Sequence, residues 1–482
     1  MLAKYITTPI FYVNDKPHIG HAYTVILADV LSRWFKINNY DVFFLTGTDE
    51  HGNKIEKTAR EKGMDPKDFV DQISGLFKSA FAKLDIQYSR FIRTTDKDHE
   101  ENVKRILKYL YDKGDIYKGT YEGYYCLPDE SYFTESEIID GKCPVCGRPV
   151  QKISEEAYFF RLSKYKDQII NFLNSNSIIP DFRVKEQLNR LKNGLFDLDI
   201  SRKTVKWGIE LPFDNSHTTY VWFDALLNYL TAINFDLNKY WPADLQIIGK
   251  EILWFHSVIW IGILSALNLP PPKKILAHGF WLVNGQKMSK SLGNVIDPVL
   301  WVEKYGSDAV RYALISEKPA HDDGDISEEK LISKINSDLA DELGNLVYRV
   351  LSLSLKSNKV FEGDDLLSKE LDLEGIKNDF ENYDAFSALH KIMDFVRKCN
   401  KFVSDKRIWE LEGKEFDSAI YSLLNSIKSI GILIYPFMPN TGIKIIKMLG
   451  YDESYINVKN LAFGPIGPVK YREILFSKVE KK

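Results

Sequence analysis

From Lys4 the chain alternates strand-like and helix-like stretches; the alternation stops near Tyr117 and resumes at Thr218. This interrupted rhythm constrains the fold more than any other feature. Lys4–Tyr12 is β-rich, Gly20–Phe35 has helical apolar spacing, and Asp41–Gly47 is a short apolar run bounded by turn residues. Asn53–Lys62, Pro66–Leu84 and His99–Lys113 read as helices around a strand at Ser89–Arg93. Such alternation predicts a parallel sheet covered by helices on both faces. Beyond the interruption, strands are predicted at Thr218–Phe223, Leu245–Gly249 and Lys274–Phe280, and helices at Ala225–Thr231 and Ile252–Leu267. After Asp325 only helical periodicity is left, at Leu331–Leu355, Phe386–Phe402, Ser418–Ile434 and Gly442–Leu449, which predicts a helix bundle.

The 482 residues leave room for about three domains. A net charge of −3 argues against a protein that coats nucleic acid through its overall field, while allowing local basic surfaces. The longest apolar run, Val258 to Leu269, is too short and mixed for a membrane span, so no membrane partner is expected. The N-terminus has no secretory pattern, and a cytoplasmic location is expected. Four cysteines are too few to staple a fold of this size. Cys399 reads as a buried helix thiol. The charged end from Lys478 reads as a frayed terminus.

Two sites point to phosphate chemistry. Pro17-His18-Ile19-Gly20-His21 follows the first strand and opens the first helix. A helix start there offers free backbone N–H groups to an anion, beyond the carboxyl ends of the strands. Two histidines around a glycine can place both rings on a phosphate, and Gly20 lets a flat nucleobase approach the backbone. Alone, the motif could equally be two surface histidines. The second site, Gly285-Gln286-Lys287-Met288-Ser289-Lys290-Ser291-Leu292-Gly293, puts two lysines on a glycine-flanked loop just past the last predicted strand. Lysines serve as point charges for phosphate, and the glycines permit loop movement.

This pair, in this order around a split α/β domain, resembles the two signature motifs of the class I aminoacyl-tRNA synthetases. Thr7–Asn14, Gly47–Gly52, Arg93–Asp96, Tyr220–Ala225 and Gly249–His256 narrow the resemblance to the methionyl-tRNA synthetases, over nearly the whole chain. The resemblance implies a Rossmann-like catalytic domain split by a knuckle-bearing insertion and followed by a helical bundle. It implies catalytic His18, His21, Lys287 and Lys290, with ATP held by these residues, Gly20 and Ser289. It also implies a methionine pocket of Ile10, Tyr12, Asp49, Trp222, Ala225, Tyr229, Ile252 and His256. An apolar thioether is recognised by shape and aromatic contact, which suits this set, while Asp49 would accept from the ammonium. Read singly, Trp222 and Ile252 could be core and Asp49 a turn residue. The anticodon of tRNA(Met) falls by the same resemblance to Asn345, Arg349 and Trp409, whose types suit base stacking and edge recognition. Mg²⁺ is expected with ATP.

Cys126-Leu127-Pro128-Asp129 and Cys143-Pro144-Val145-Cys146 have knuckle spacing, with Asp129 where a full knuckle has Cys or His. A structural Cys₃Asp zinc site is expected; a degenerate knuckle without metal is the alternative. The expected division is residues 1–116 and 216–297 for the two catalytic halves and 117–215 for the insertion. Residues 298–355 would form a linker against the tRNA stem, and 356–482 the anticodon-binding bundle, whose first helix begins near 331. A monomer is expected, since no C-terminal OB-fold is visible. The insertion is too short for the large editing domain of the branched-chain sister enzymes. An adenylyltransferase would leave the bundle and knuckle without purpose, and a silent RNA-binding protein would have no use for intact phosphate motifs.

Overall fold

The computed structural model describes residues 2–480 apart from 129, 130, 134, 136 and 289–291. Six strands form one parallel sheet, in the order Arg90–Arg93, Asp41–Asp49, Ala3–Tyr12, Leu245–Gly249, Ile275–His278, Ile178–Ile179. The order runs outward in both directions from Ala3–Tyr12 and Leu245–Gly249, which creates a switch point between them, where such sheets hold ligands. Pro9 widens it. Ala3–Tyr12 pairs with Leu245–Gly249 only at Ile6 and Thr7, then shifts register against Asp41–Asp49 before Ile10. Proline cannot donate to the ladder, so the chain departs from one neighbour there while following the other to Tyr12 and Asp49. A cleft opens between Ile10–Tyr12 and Gly249–Ile252.

Gly47 allows the opposite strand to close in: a Cβ there would lie 1.9 Å from the Ile92 carbonyl oxygen. The helix Ile19–Ile37 is buried along nearly its whole length between this sheet and the helices that follow.

The interrupting stretch folds mainly into an antiparallel sheet of Ser131–Phe133, Ile116–Cys126, Gln151–Phe160 and Leu198–Asp199. Its Ile178–Ile179 returns as the edge strand of the main sheet. The strand expected at Thr218–Phe223 is a correction. Asp214–Thr219 is antiparallel to Ser201–Arg202 in a separate small sheet, and Val221–Leu226 is helical. The β-branched and aromatic run was misleading because tertiary packing overrides β-propensity.

Pro298–Tyr305 and Ser307–Ser316 lead into Glu328–Lys334, Ile335–Gly344 and Asn345–Leu355, which run on through wider, π-type turns. Leu373–Glu381, Ala385–Asp405, Gly413–Ile434 and Pro439–Met448 complete the helical region. One apolar core runs from the sheet into these helices, and Trp34 stacks on Phe380 at 4.0 Å. Cys399 is buried in its helix as expected. The terminus is not frayed at Val479: its N–H donates to Asn336 Oδ1 at 2.8 Å, and Asn336 Nδ2 donates back at 2.9 Å. No helix among the described residues is long and apolar enough to cross a membrane.

Candidate active site

A cavity of about 420 Å³ occupies the cleft at the switch point. It is lined at one end by His18, Gly20, His21 and Lys287, and at the other by Ile10, Tyr12, Asp49, Trp222, Ala225, Tyr229, Ile252 and His256. All these residues were expected from sequence to meet substrate. Ser289 and Lys290, also expected here, lie outside the described residues.

The two histidines are fixed by the helix start they occupy. His18 caps Ile19–Ile37: its Nδ1 accepts from the Gly20 N–H at 3.0 Å, while His21 Nδ1 accepts from the His18 N–H at 3.1 Å. This is a capping box built from two imidazoles in place of the usual hydroxyl and carboxylate. Each Nδ1 is therefore an acceptor, so in each neutral ring the proton sits on Nε2. The rings lie 3.8 Å apart, and His21 packs edge-on against Phe11 and Phe77. Burial pushes His18 down to about 4 and His21 well below its ordinary value; Lys287 adds to the first shift and His18 to the second. The pair is two aligned neutral N–H donors at neutral pH. Gly20 has a local steric reason beyond nucleobase approach: a Cβ there would sit 2.9 Å from the His18 ring.

Lys287 is set by a hairpin. Asn284 and Gly285 both have positive φ, as a two-residue turn of this hand requires. Leu282 then pairs with Lys287, whose ammonium lies 4.2 Å from the centre of the Phe280 ring.

At the apolar end Tyr229 and His256 satisfy each other. His256 Nδ1 donates to the Ile252 carbonyl at 3.0 Å, leaving Nε2 to accept from the Tyr229 hydroxyl at 2.7 Å. Burial holds His256 down to about 4 and the Tyr229 phenol well up, so both stay neutral. Trp222 stacks on Phe255 at 3.8 Å to form an aromatic wall. Residues 222, 225 and 229 share a face because helical side chains three or four apart align. Asp49 ends its strand, 9 % exposed, and brings a carboxylate to the cavity beside Tyr12 in the register.

Comparison with known proteins places the chain in a family. The family model described as tRNA synthetases class I (M) matches residues 4–155 and 149–351. A methionine–tRNA ligase of Caldanaerobacter subterraneus is 46% identical, covering 99% of this chain and 79% of the relative. One from Thermotoga maritima is 43% identical, covering 99% and 80%. The Mycobacterium tuberculosis methionyl-tRNA synthetase in complex with methionyl-adenylate superposes with a TM-score of 0.94 at 36% identity, covering 99% of this chain and all of that one.

The chain belongs to the methionyl-tRNA synthetases.

Other residues that line the cavity of this synthetase were given no role from the sequence. Lys54, Glu251, His278, Phe280 and Met288 all line it. Glu251 lies inside the Gly249–His256 motif and could have been singled out there; its carboxyl is pushed up by burial. His278 ends a strand and contacts Thr24 Oγ1 at 2.8 Å, a pairing no local pattern announces.

Away from the cavity, the structure brings Arg349 and Trp409 together, with the guanidinium 5.6 Å from the ring centre. Asn345 lies one turn before Arg349, and all three are exposed. The sulfurs of Cys126, Cys143 and Cys146 lie within 4.8 Å of one another, in a small cluster with Phe133. The Val145 N–H points at Cys143 Sγ at 3.4 Å, as at a knuckle turn. Three thiols so placed, two of them buried, are a donor set for a thiophilic metal. Asp129 lies outside the described residues.

Proposed function

We propose that this cavity is where methionine and ATP are joined, with the residues in the roles the motifs suggested. As a member of the methionine–tRNA ligases the chain forms aminoacyl-tRNA. One observation carries the residue-level reading: a paired N–H cradle and a largely apolar, aromatic pocket whose Tyr229 and His256 satisfy each other open into the same cleft.

The methionine carboxylate attacks the α-phosphate of ATP, forming the adenylate and releasing pyrophosphate. A carboxylate is already a nucleophile, so the protein's task is positioning and charge stabilisation. The Nε2–H groups of His18 and His21 donate to the phosphates. Lys287, and Lys290 by its motif, stabilise charge on the departing pyrophosphate. Mg²⁺ arrives with the triphosphate as part of the substrate. Asp49 accepts from the methionine ammonium. The side chain meets Ile10, Tyr12, Trp222, Ala225 and Ile252, and ends near Tyr229 and His256. A competitor with a polar side chain finds neither the Tyr229 proton nor the His256 Nε2 lone pair available, because the pair satisfies itself. A terminal ribose hydroxyl of tRNA then attacks the adenylate carbonyl, while Asn345, Arg349 and Trp409 meet the anticodon. Zinc would be held by Cys126, Cys143 and Cys146, with Asp129 as fourth ligand, and would stabilise the knuckle.

The test is amino-acid-dependent ATP–pyrophosphate exchange with all twenty amino acids. Exchange with methionine alone, lost in His21→Ala, is expected. Exchange with a different amino acid would overturn the pocket assignment.

A further inference from the structure

Behind the amino-acid end of the cavity lies a buried chain of polar groups that touches no part of the cavity surface. Asp224 is fully buried, and each of its oxygens meets a histidine. Oδ2 lies 2.7 Å from His51 Nδ1, and Oδ1 lies 2.7 Å from His99 Nε2. His99 Nδ1 continues to Thr231 Oγ1 at 2.8 Å. His51, Asp224 and His99 are all absent from the cavity lining.

All but His99 are nevertheless attached to a wall. His51 follows Asp49 by two residues, on the same strand extension. Asp224 lies on Val221–Leu226 between Trp222 and Ala225, across the helix from Trp222. Thr231 ends Asn228–Thr231, which carries Tyr229. His99 belongs to Lys97–Asp112, a helix that contributes nothing to the cavity and acts as a buttress. The intervening residue is pinned separately: Glu50 is gripped by Arg93 through both oxygens, at 2.7 and 2.8 Å.

We propose that His51, Asp224 and His99 are positioning residues that set the distance between Asp49 and the Trp222–Ala225–Tyr229 wall, and so the fit of the methionine side chain and ammonium. This rests on the reading of the cavity as the methionine site. A buried carboxylate with two donors is directional at both ends, so it clamps two segments in register where an apolar contact would let them slide. The remaining neighbours keep the clamp closed: Glu100 Oε1 lies 3.7 Å from His51 Nε2, and the Trp207 ring packs edge-on against His51. The phosphate end of the cavity is anchored by a different element, the start of Ile19–Ile37, so the clamp acts on one substrate.

The experiment is pyrophosphate exchange in the full chain, with KM for methionine and for ATP measured separately. His99→Leu removes the donor to Asp224, whereas His99→Gln keeps an amide N–H at the Nε2 position. The leucine variant is expected to raise the methionine KM about tenfold or more with the ATP KM unchanged, and the glutamine variant to recover most of it. His51→Ala against His51→Asn makes the same comparison from the other side of Asp224, should His99→Leu not fold. Equal shifts in both KM values, a loss of thermal stability without a methionine effect, or no recovery in the conservative variants would overturn the clamp. Absence of methionine-dependent exchange in the unaltered chain would overturn the cavity reading itself, which the variants do not address.

Discussion

His18 and His21 show what a motif conceals at the level of single residues. Their positions are legible in the sequence, since a helix start after a strand is readable from local pattern, and the phosphate role proposed for them rests on the same motif. Their charge state is not, because it depends on which backbone N–H each Nδ1 accepts and on rings supplied by Phe11 and Phe77. The structure makes them neutral donors, with a consequence for pH. A histidine whose pKa falls on folding is fully competent above its unfolded value of about 6.5, and competence is lost as the pH drops through the folded value. For His18 that value is about 4. The acid limb of kcat/KM for ATP, which reports the free enzyme, is therefore expected well below 6 and toward 4. An inflection near 6.5 would mean that the imidazoles act as solvent-exposed groups. The same sign applies to stability. His18, His256 and His278 all sit at about 4, so the urea midpoint should fall as the pH is lowered from about 6.5. A midpoint constant over that interval would contradict their burial as neutral groups.

Among the elements, the long and strongly patterned ones were readable and the short ones around the cavity were not. The parallel strands announce themselves as apolar runs, and the bundle helices by their spacing. Val221–Leu226 does not, because Thr-Thr-Tyr-Val-Trp-Phe has the composition of a strand. Its helical form rests on contacts from distant parts of the chain: the anchoring of Asp224 by His51 and His99, and the packing of Phe223 and Leu226 in the core. The departure of the first strand from Leu245–Gly249 at Pro9 is likewise visible only once the pairing partners are known. Gly47 can be tested directly. A methyl group there would collide with the backbone of Ile92, which no side-chain rotation relieves. Gly47→Ala is expected to cost about 1–3 kcal/mol as an overpacked site, measured by urea unfolding; a neutral result would show that the two strands part easily. The knuckle offers a second measurement at this scale. Purified chain should contain about one zinc, and Cys143→Ser should lose it, since a structural site needs its full donor set. Metal analysis that finds no zinc in the unaltered chain would favour the degenerate knuckle.

In the whole molecule, the catalytic sheet and the helical region are joined by a buried ionic knot that could not be found from sequence. Arg33 and Asp29 share a helix, but Arg311 comes from far along the chain, and nothing local marks it as their partner. Asp29 Oδ2 accepts from Arg33 Nε and from an Arg311 NH group, both at 2.7 Å. Arg311 also donates to the carbonyls of Leu84, Pro436 and Phe437, and Arg33 to those of Asp85 and the hydroxyl of Tyr435. Both guanidinium groups thus hold the backbone at Leu84–Asp85 and reach the segment that follows the helix Gly413–Ile434, Arg311 through backbone carbonyls and Arg33 through the Tyr435 hydroxyl. Asp29 is the only carboxylate bonded to either, among the described residues. Its removal leaves two buried cations repelling each other, and breaking a buried pair in this way costs about 3–5 kcal/mol. Asp29→Asn keeps the shape and removes the charge. Because the knot spans the junction, the loss should fall on the docking of the helical region more than on either part. The unaltered chain is expected to unfold in urea with tryptophan fluorescence and far-ultraviolet circular dichroism in step, as one core shared by sheet and helices requires. In Asp29→Asn the fluorescence change should come first, because Trp34 loses its stack on Phe380 when the junction opens. Coincident transitions at an unchanged midpoint would show that the apolar core alone holds the two parts together, and that the knot contributes nothing beyond its own desolvation.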